Sequence, residues 1–309
     1  MRKFCFLLLA LFSCLSYAKA PLQHLTVILD WFPNPDHAPL VIAKQQGFFK
    51  EQGLDVELIG PADPNDPPKW LAANKADIGL TYEPEFMQQI DHGLPLTRIG
   101  TLINKPLNCV LALETSGIKT PADLRGRKIG LTDSGLSNTM LQVMLEKQGL
   151  TTQDVEIINV HYNLMQALLS HQVDAVTGLM RNVEIPQLES MHQKVVAFFP
   201  EKYDIPNYSE LIFIANRKHR NDPRVPRFMA ALKKAVVYLD QHREETWQQF
   251  AKTYPEENNA VNHATWFATI PYFAKEPAII DKEQCARFAD FMQERKLIKN
   301  KETVKEYSC

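Results

Sequence analysis

Between residues 24 and 216 the chain alternates short strand-like runs with helix-like runs, and that alternation restricts it to few folds. Residues 25–29, 56–59 and 76–80 read as strands, with helices at 39–46 and 69–74 between them. A second series follows, with strands at 128–131, 155–160 and 173–177 and helices at 137–148 and 164–170. A helix between successive strands supplies the crossover that parallel pairing needs, so the pattern specifies βαβ units and an α/β fold with parallel-rich sheets flanked by helices. One local pattern occurs twice: Ala72-Ala73-Asn74-Lys75-Ala76-Asp77-Ile78-Gly79 and Leu168-Leu169-Ser170-His171-Gln172-Val173-Asp174-Ala175 both leave a helix through polar residues to an aspartate that opens a strand. Two similar lobes are therefore expected, one from 21–112 with 213–309 and the other from 113–212. After the apolar run 211–216 the chain turns helical, at 225–241, 244–253 and 282–296, which suits a cover for the first lobe. Two lobes joined by strands near 110–113 and 211–215 would enclose a cleft able to close over a small molecule.

The first strand runs into Asp30-Trp31-Phe32-Pro33-Asn34-Pro35-Asp36-His37-Ala38-Pro39-Leu40, a polar and aromatic loop at a strand's carboxyl end. Ligands of open α/β sheets collect there. Pro33, Pro35 and Pro39 fix their own φ and restrict the preceding residues, so Trp31, Asn34 and His37 are displayed from a stiff backbone.

The amino end reads as an export signal over residues 1–20: Arg2 and Lys3, an apolar run at 4–15, then Ala18-Lys19-Ala20. A lipid anchor on Cys14 is the alternative, through Leu11-Phe12-Ser13-Cys14. Cleavage would remove Arg2, Lys3 and Lys19 and no acid, leaving 31 basic against 36 acidic residues and moving the net charge from −2 to −5. An acidic protein of this kind is not expected to bind nucleic acid. Cys109, Cys285 and Cys309 would remain, without C-x-x-C spacing, which argues against a structural zinc site. Three free thiols are the simpler expectation, and a Cys285–Cys309 bridge in an oxidising compartment is the alternative.

Asp30-Trp31-x-Pro33-Asn34-x-x-His37, then Ala43-Lys44-x-x-Gly47-Phe48-Phe49-Lys50-Glu51-Gln52-Gly53-Leu54-Asp55-Val56, then Asp123-Leu124-Arg125-Gly126-Arg127-Lys128-Ile129-Gly130, closely resemble the thiamine-pyrimidine precursor-binding proteins that serve ABC importers. The likeness runs to about residue 220, and the first motif is its most particular part. It implies a two-lobed periplasmic binding protein, monomeric and without a cofactor, that holds a hydroxymethylpyrimidine or formylaminopyrimidine in the interlobe cleft for permease and ATPase subunits at the inner membrane. The same scaffold also serves other heteroaromatics, alkylsulfonates and riboflavin fragments, which remain alternatives. A related enzyme, hydroxymethylpyrimidine phosphate synthase, consumes its own pyridoxal phosphate and an active-site histidine. The places of its lysine and histidine are held here by Thr81 and Glu85, which can neither form an imine nor donate imidazole atoms.

An aminopyrimidine is flat, with ring acceptors and an exocyclic amine, so its site needs aromatic faces and carboxylate or amide groups at its edge. Trp31 and Tyr82 are the expected stacking faces, with Glu83, Asn34 and His37 as edge partners. From the second lobe, Ser134 and Asn138 belong to a strand-to-helix turn at 132–138 that lacks the glycine spacing and lysine of a phosphate loop. Arg181 and Glu184 follow the strand at 173–177, with Arg181 free to pair with Glu184, with Glu83 across the cleft, or with an acidic ligand group. Asn108 and Tyr208, beside the hinge strands, complete the candidates.

Overall fold

The computed structural model describes residues 21–63, 66–131, 135–161 and 163–309. The expected export signal with Cys14, and the candidate Ser134, lie outside the described residues. Among the described residues ten strands form two five-stranded sheets: β1 (Gln23–Ile28), β2 (Leu54–Ile59), β3 (Ile78–Tyr82), β4 (Leu96–Ile103), β5 (Asn108–Leu113), β6 (Lys128–Leu131), β7 (Glu156–Asn159), β8 (Ala175–Met180), β9 (Val195–Phe198) and β10 (Leu211–Asn216). The orders are β2-β1-β3-β10-β4 and β7-β6-β8-β5-β9, so each sheet with its helices is one lobe of an α/β protein.

The two sheets are built alike. In each, three strands pair in parallel, β1 with β2 and β3, and β6 with β7 and β8. In each, one strand runs antiparallel to both its neighbours, β10 in the first and β5 in the second. These are the strands that follow a crossing between lobes. Each enters its sheet from the cleft edge, where the parallel strands end, and must therefore run against them. The crossings occupy residues 104–107 and 199–210, so all of β5 belongs to the second sheet and all of β10 to the first, whereas the sequence divisions at 112/113 and 212/213 fall at or within strand ends.

The recurring aspartates do the same work in both lobes. The carboxylate of Asp77 accepts from the Thr26 amide at 2.9 Å while its own amide donates to the Thr26 carbonyl. The carboxylate of Asp174 accepts from the Lys128 amide at 2.8 Å and its amide donates to the Lys128 carbonyl. Each brackets the start of one strand to its parallel neighbour, and each follows a residue in the left-handed region three positions earlier, Asn74 and His171.

Helix Ala38–Gln45 ends at Gly47, whose φ of +74° suits glycine, and the chain restarts in Phe48–Glu51. Phe49 stacks on Phe228 at 5.2 Å, which seats helix Arg224–Gln241 on the first sheet. Burying each such side chain stabilises by roughly 1.5–3 kcal/mol. Helix Lys282–Glu294 belongs to a core that continues from the first lobe into the second, with Phe288 stacked on Tyr208 at 4.7 Å. Arg295 beyond it reaches Glu146 of the second lobe at 2.8 Å. The expectation of three free thiols is corrected: Cys285 and Cys309 form a disulfide, and Cys109 is the free, buried one. The cause is a fold-back, because helix Lys301–Ser308 returns along Lys282–Glu294 and delivers Cys309 to Cys285. No helix among the described residues is long and apolar enough to cross a membrane.

Candidate functional site

The carboxyl ends of β1 and β3 bring the stiff loop and Tyr82 together around Asp30. Asn34 caps the 3₁₀ turn Pro35–His37, its Oδ1 accepting from the Asp36 amide at 2.8 Å and its Nδ2 donating to the Phe32 carbonyl at 3.0 Å. The Asn34 amide donates to His37 Nδ1 at 3.2 Å, which places the ring hydrogen on Nε2, and Nε2 donates to Asp30 Oδ1 at 2.9 Å. The Tyr82 hydroxyl donates to Asp30 Oδ2 at 3.2 Å. Burial, then the charges of Asp30, Glu210, Asp36 and Glu85, hold the Tyr82 phenol well above its ordinary pKa, so it stays a donor. His37 and Asp30 are buried, whereas Trp31 is 50% and Phe32 59% exposed, edge to face at 6.0 Å. The loop therefore fixes its polar residues internally and leaves an aromatic pair free.

Around this hub the cleft is acidic. Asp36 is pushed up to about 6, first by burial and also by the charge of Asp30, against hydrogen bonds from Asn182 and Thr269. Glu210, at the second crossing, accepts from the Leu107 amide at 2.6 Å and is pushed up to about 7 by burial. Glu184 accepts from the Met180 amide at 2.6 Å and is likewise pushed up to about 7. Glu85 is exposed, and desolvation by the surrounding protein, then the charge of Asp30, raise its pKa. The Asp36 charge contributes to the rises at Tyr82, Glu184 and Glu210, so groups from both lobes and a crossing share one field.

Glu83 is fully buried, its carboxylate held by Arg98 at 2.7 Å and by the Ser209 amide, so its partners lie in the first lobe and the second crossing. Arg181 pairs with Glu201 through both terminal nitrogens, at 2.6 and 2.9 Å, and lies over the Phe199 ring at 4.0 Å; neither Glu83 nor Glu184 is its partner. Asn108 donates to Ser137 Oγ at 3.3 Å, and its buried Oδ1 has no partner among the described residues. Asn138 is exposed on helix Gly135–Glu146. Tyr208 is buried against Phe288, facing Glu210. Asp30, Asp36, Asn182 and Glu210 were not singled out from sequence. Asp30 and Asp36 stand inside the conspicuous loop, where their spacing around His37 was the available signal; Glu210 beside β10 has the sequence appearance of any surface acid.

A family model described as NMT1/THI5 like matches residues 34–246. The chain belongs to this family. A Haemophilus influenzae protein named for thiamine biosynthesis is 42% identical over all of this chain and 98% of its own length. The formylaminopyrimidine-binding protein of Halalkalibacterium halodurans is 32% identical over 64% of this chain and 60% of its own length. A Saccharomyces cerevisiae 4-amino-5-hydroxymethyl-2-methylpyrimidine phosphate synthase is 25% identical over 81% and 77%. Among solved structures, the periplasmic aliphatic sulphonate binding protein SsuA of Escherichia coli superposes with a TM-score of 0.73 at 19% identity, covering 92% of this chain and 91% of that one. This NMT1/THI5-like protein thus has the periplasmic-binding-protein fold, and its matched segment contains Asn34, Tyr82, Glu184 and Glu210 together with both crossings. Asp30 and Trp31 lie just before it.

Proposed function

We propose that this protein is the periplasmic receptor of an ABC importer and that it captures a thiamine-related aminopyrimidine of the hydroxymethyl or formylamino type between its lobes. The observation that carries the proposal is the Asp30 hub, in which a buried carboxylate orients Tyr82 beside an exposed Trp31. An aromatic face next to fixed carboxylates suits a flat ring bearing an amine, and the surrounding acids disfavour a phosphate ester or sulfonate. The relatives named for thiamine biosynthesis and formylaminopyrimidine binding support the same ligand class.

The protein acts as a receptor and not as a synthase on this proposal. Thr81 is buried within β3 opposite Ile212, and it has no amine with which to hold an aldehyde. The Cys285–Cys309 bridge suits an oxidising compartment. Calorimetry with hydroxymethylpyrimidine, its formylamino relative, its phosphate ester and an alkylsulfonate tests the assignment. Heat and a thermal shift are expected with the unphosphorylated pyrimidines alone; silence with both, or a response to the sulfonate instead, overturns it.

A further inference from the structure

Asp36 follows β1 in the first lobe and Asn182 follows β8 in the second, yet the two side chains meet. Asn182 Nδ2 donates to Asp36 Oδ1 at 2.7 Å and to Thr269 Oγ1 at 2.8 Å, and all three residues are buried. Thr269 carries one hydroxyl hydrogen and has the Thr265 carbonyl at 2.8 Å, closer than Asp36 at 3.3 Å, so Asn182 is the principal side-chain donor to Asp36 Oδ1. The amide orientation is fixed, since the reverse would set its carbonyl against the carboxylate. Asn182 Oδ1 is buried with no partner among the described residues, so the side chain leaves its own needs unmet to reach the other lobe. Helices Ala260–Thr269 and Glu184–Ser190 pack together around this contact, while the Arg181 amide holds the Leu107 carbonyl of the first crossing at 2.8 Å.

We propose that Asn182 and Asp36 form a latch between the lobes, with Asn182 as a positioning residue that sets how long the cleft stays closed and hence how long a ligand resides there. A charge-assisted bond shielded from water is stronger than one at the surface, and it exists only when the lobes meet. The groups facing Asp36 are His37 and Asp30 from its own loop, Thr269 from helix Ala260–Thr269, Asn182 and Glu184 from the second lobe, Tyr82 from β3 and Glu210 from the second crossing. The ligand arm of the test rests on the proposed receptor role, and the scattering arm does not.

Small-angle scattering of the ligand-free full chain is compared for wild type, Asn182→Asp, Asn182→Ala and the exchange variant Asp36→Asn with Asn182→Asp. Asn182→Asp sets two carboxylates face to face; its radius of gyration is expected to exceed wild type at about pH 8 and return towards it at about pH 5, where one carboxyl of the pair takes a proton. The exchange variant restores a donor facing an acceptor and is expected to scatter like wild type at both values. Stopped-flow dissociation of formylaminopyrimidine is expected to be about tenfold faster in Asn182→Ala, with association nearly unchanged. Wild-type scattering from Asn182→Asp at both pH values, or an exchange variant as open as the single one, overturns the latch. Predicted scattering with no pyrimidine binding by wild type instead overturns the ligand assignment and leaves the latch standing.

Discussion

Asp30 has both carboxylate oxygens occupied, one by His37 and one by Tyr82, so its charge reaches a ligand through the residues it orients. Trp31 beside it is half exposed and supports nothing else in the loop's polar network, which separates binding from stability at this position. Trp31→Ala is expected to weaken pyrimidine affinity by about tenfold, the loss of a stacking face and its buried area, with the ligand-free melting temperature unchanged; calorimetry and thermal melts read the two effects separately. Glu83 presents the opposite case. Glu83→Gln would leave Arg98 buried without its counter-charge, and urea unfolding is expected to show a loss of about 3–5 kcal/mol. Nothing in Glu83-Pro84 marks this, since an acid at a helix start reads as exposed, and the partner Arg98 lies in β4, where a buried arginine interrupts the apolar run. The tryptophan and histidine of the first loop were legible because rare residue types crowd one short segment. Their division of labour was not, because it depends on which side chains turn back into the loop.

At the scale of elements, the strand-helix alternation was legible and the strand order was not. Periodicity reports which residues share a face, and the insertion of β10 between β3 and β4 is decided by where the chain returns from the other lobe. The same limit hid the disulfide, whose partners lie 24 residues apart and are joined only when the last helix folds back. Cys309→Ser opens that loop, and chain entropy puts the expected loss at about 3 kcal/mol, measured by urea unfolding of oxidised protein. β4 accepts this tail region closely: a Cβ at Gly100 would stand 2.7 Å from the Pro277 carbonyl oxygen. Gly100→Ala is therefore expected to displace the segment after residue 273 and to lower the melting temperature, with the disulfide intact.

For the whole molecule, Asp36, Glu184 and Glu210 take protons more readily when folded than when unfolded, with folded values of about 6, about 7 and about 7. Their contribution is fully present below about pH 4 and is lost as pH rises through about 6 to 7. Asp222, held below the usual carboxylate range by Arg224, works in the other direction and loses its contribution in stronger acid. Ligand-free protein is expected to unfold at a higher urea midpoint at about pH 5 than at about pH 8, and a ligand offering an amine to the acids should narrow that gap. A midpoint that rises towards pH 8 without ligand would contradict the burial of these three groups. Asp77 and Asp174 stand apart from this chemistry, at the strand ends remote from the cleft. Each fixes its sheet's register from below, so loops at the opposite rim can exchange side chains without unsettling the pairing beneath them. Such a frame carries variable loops on a constant scaffold.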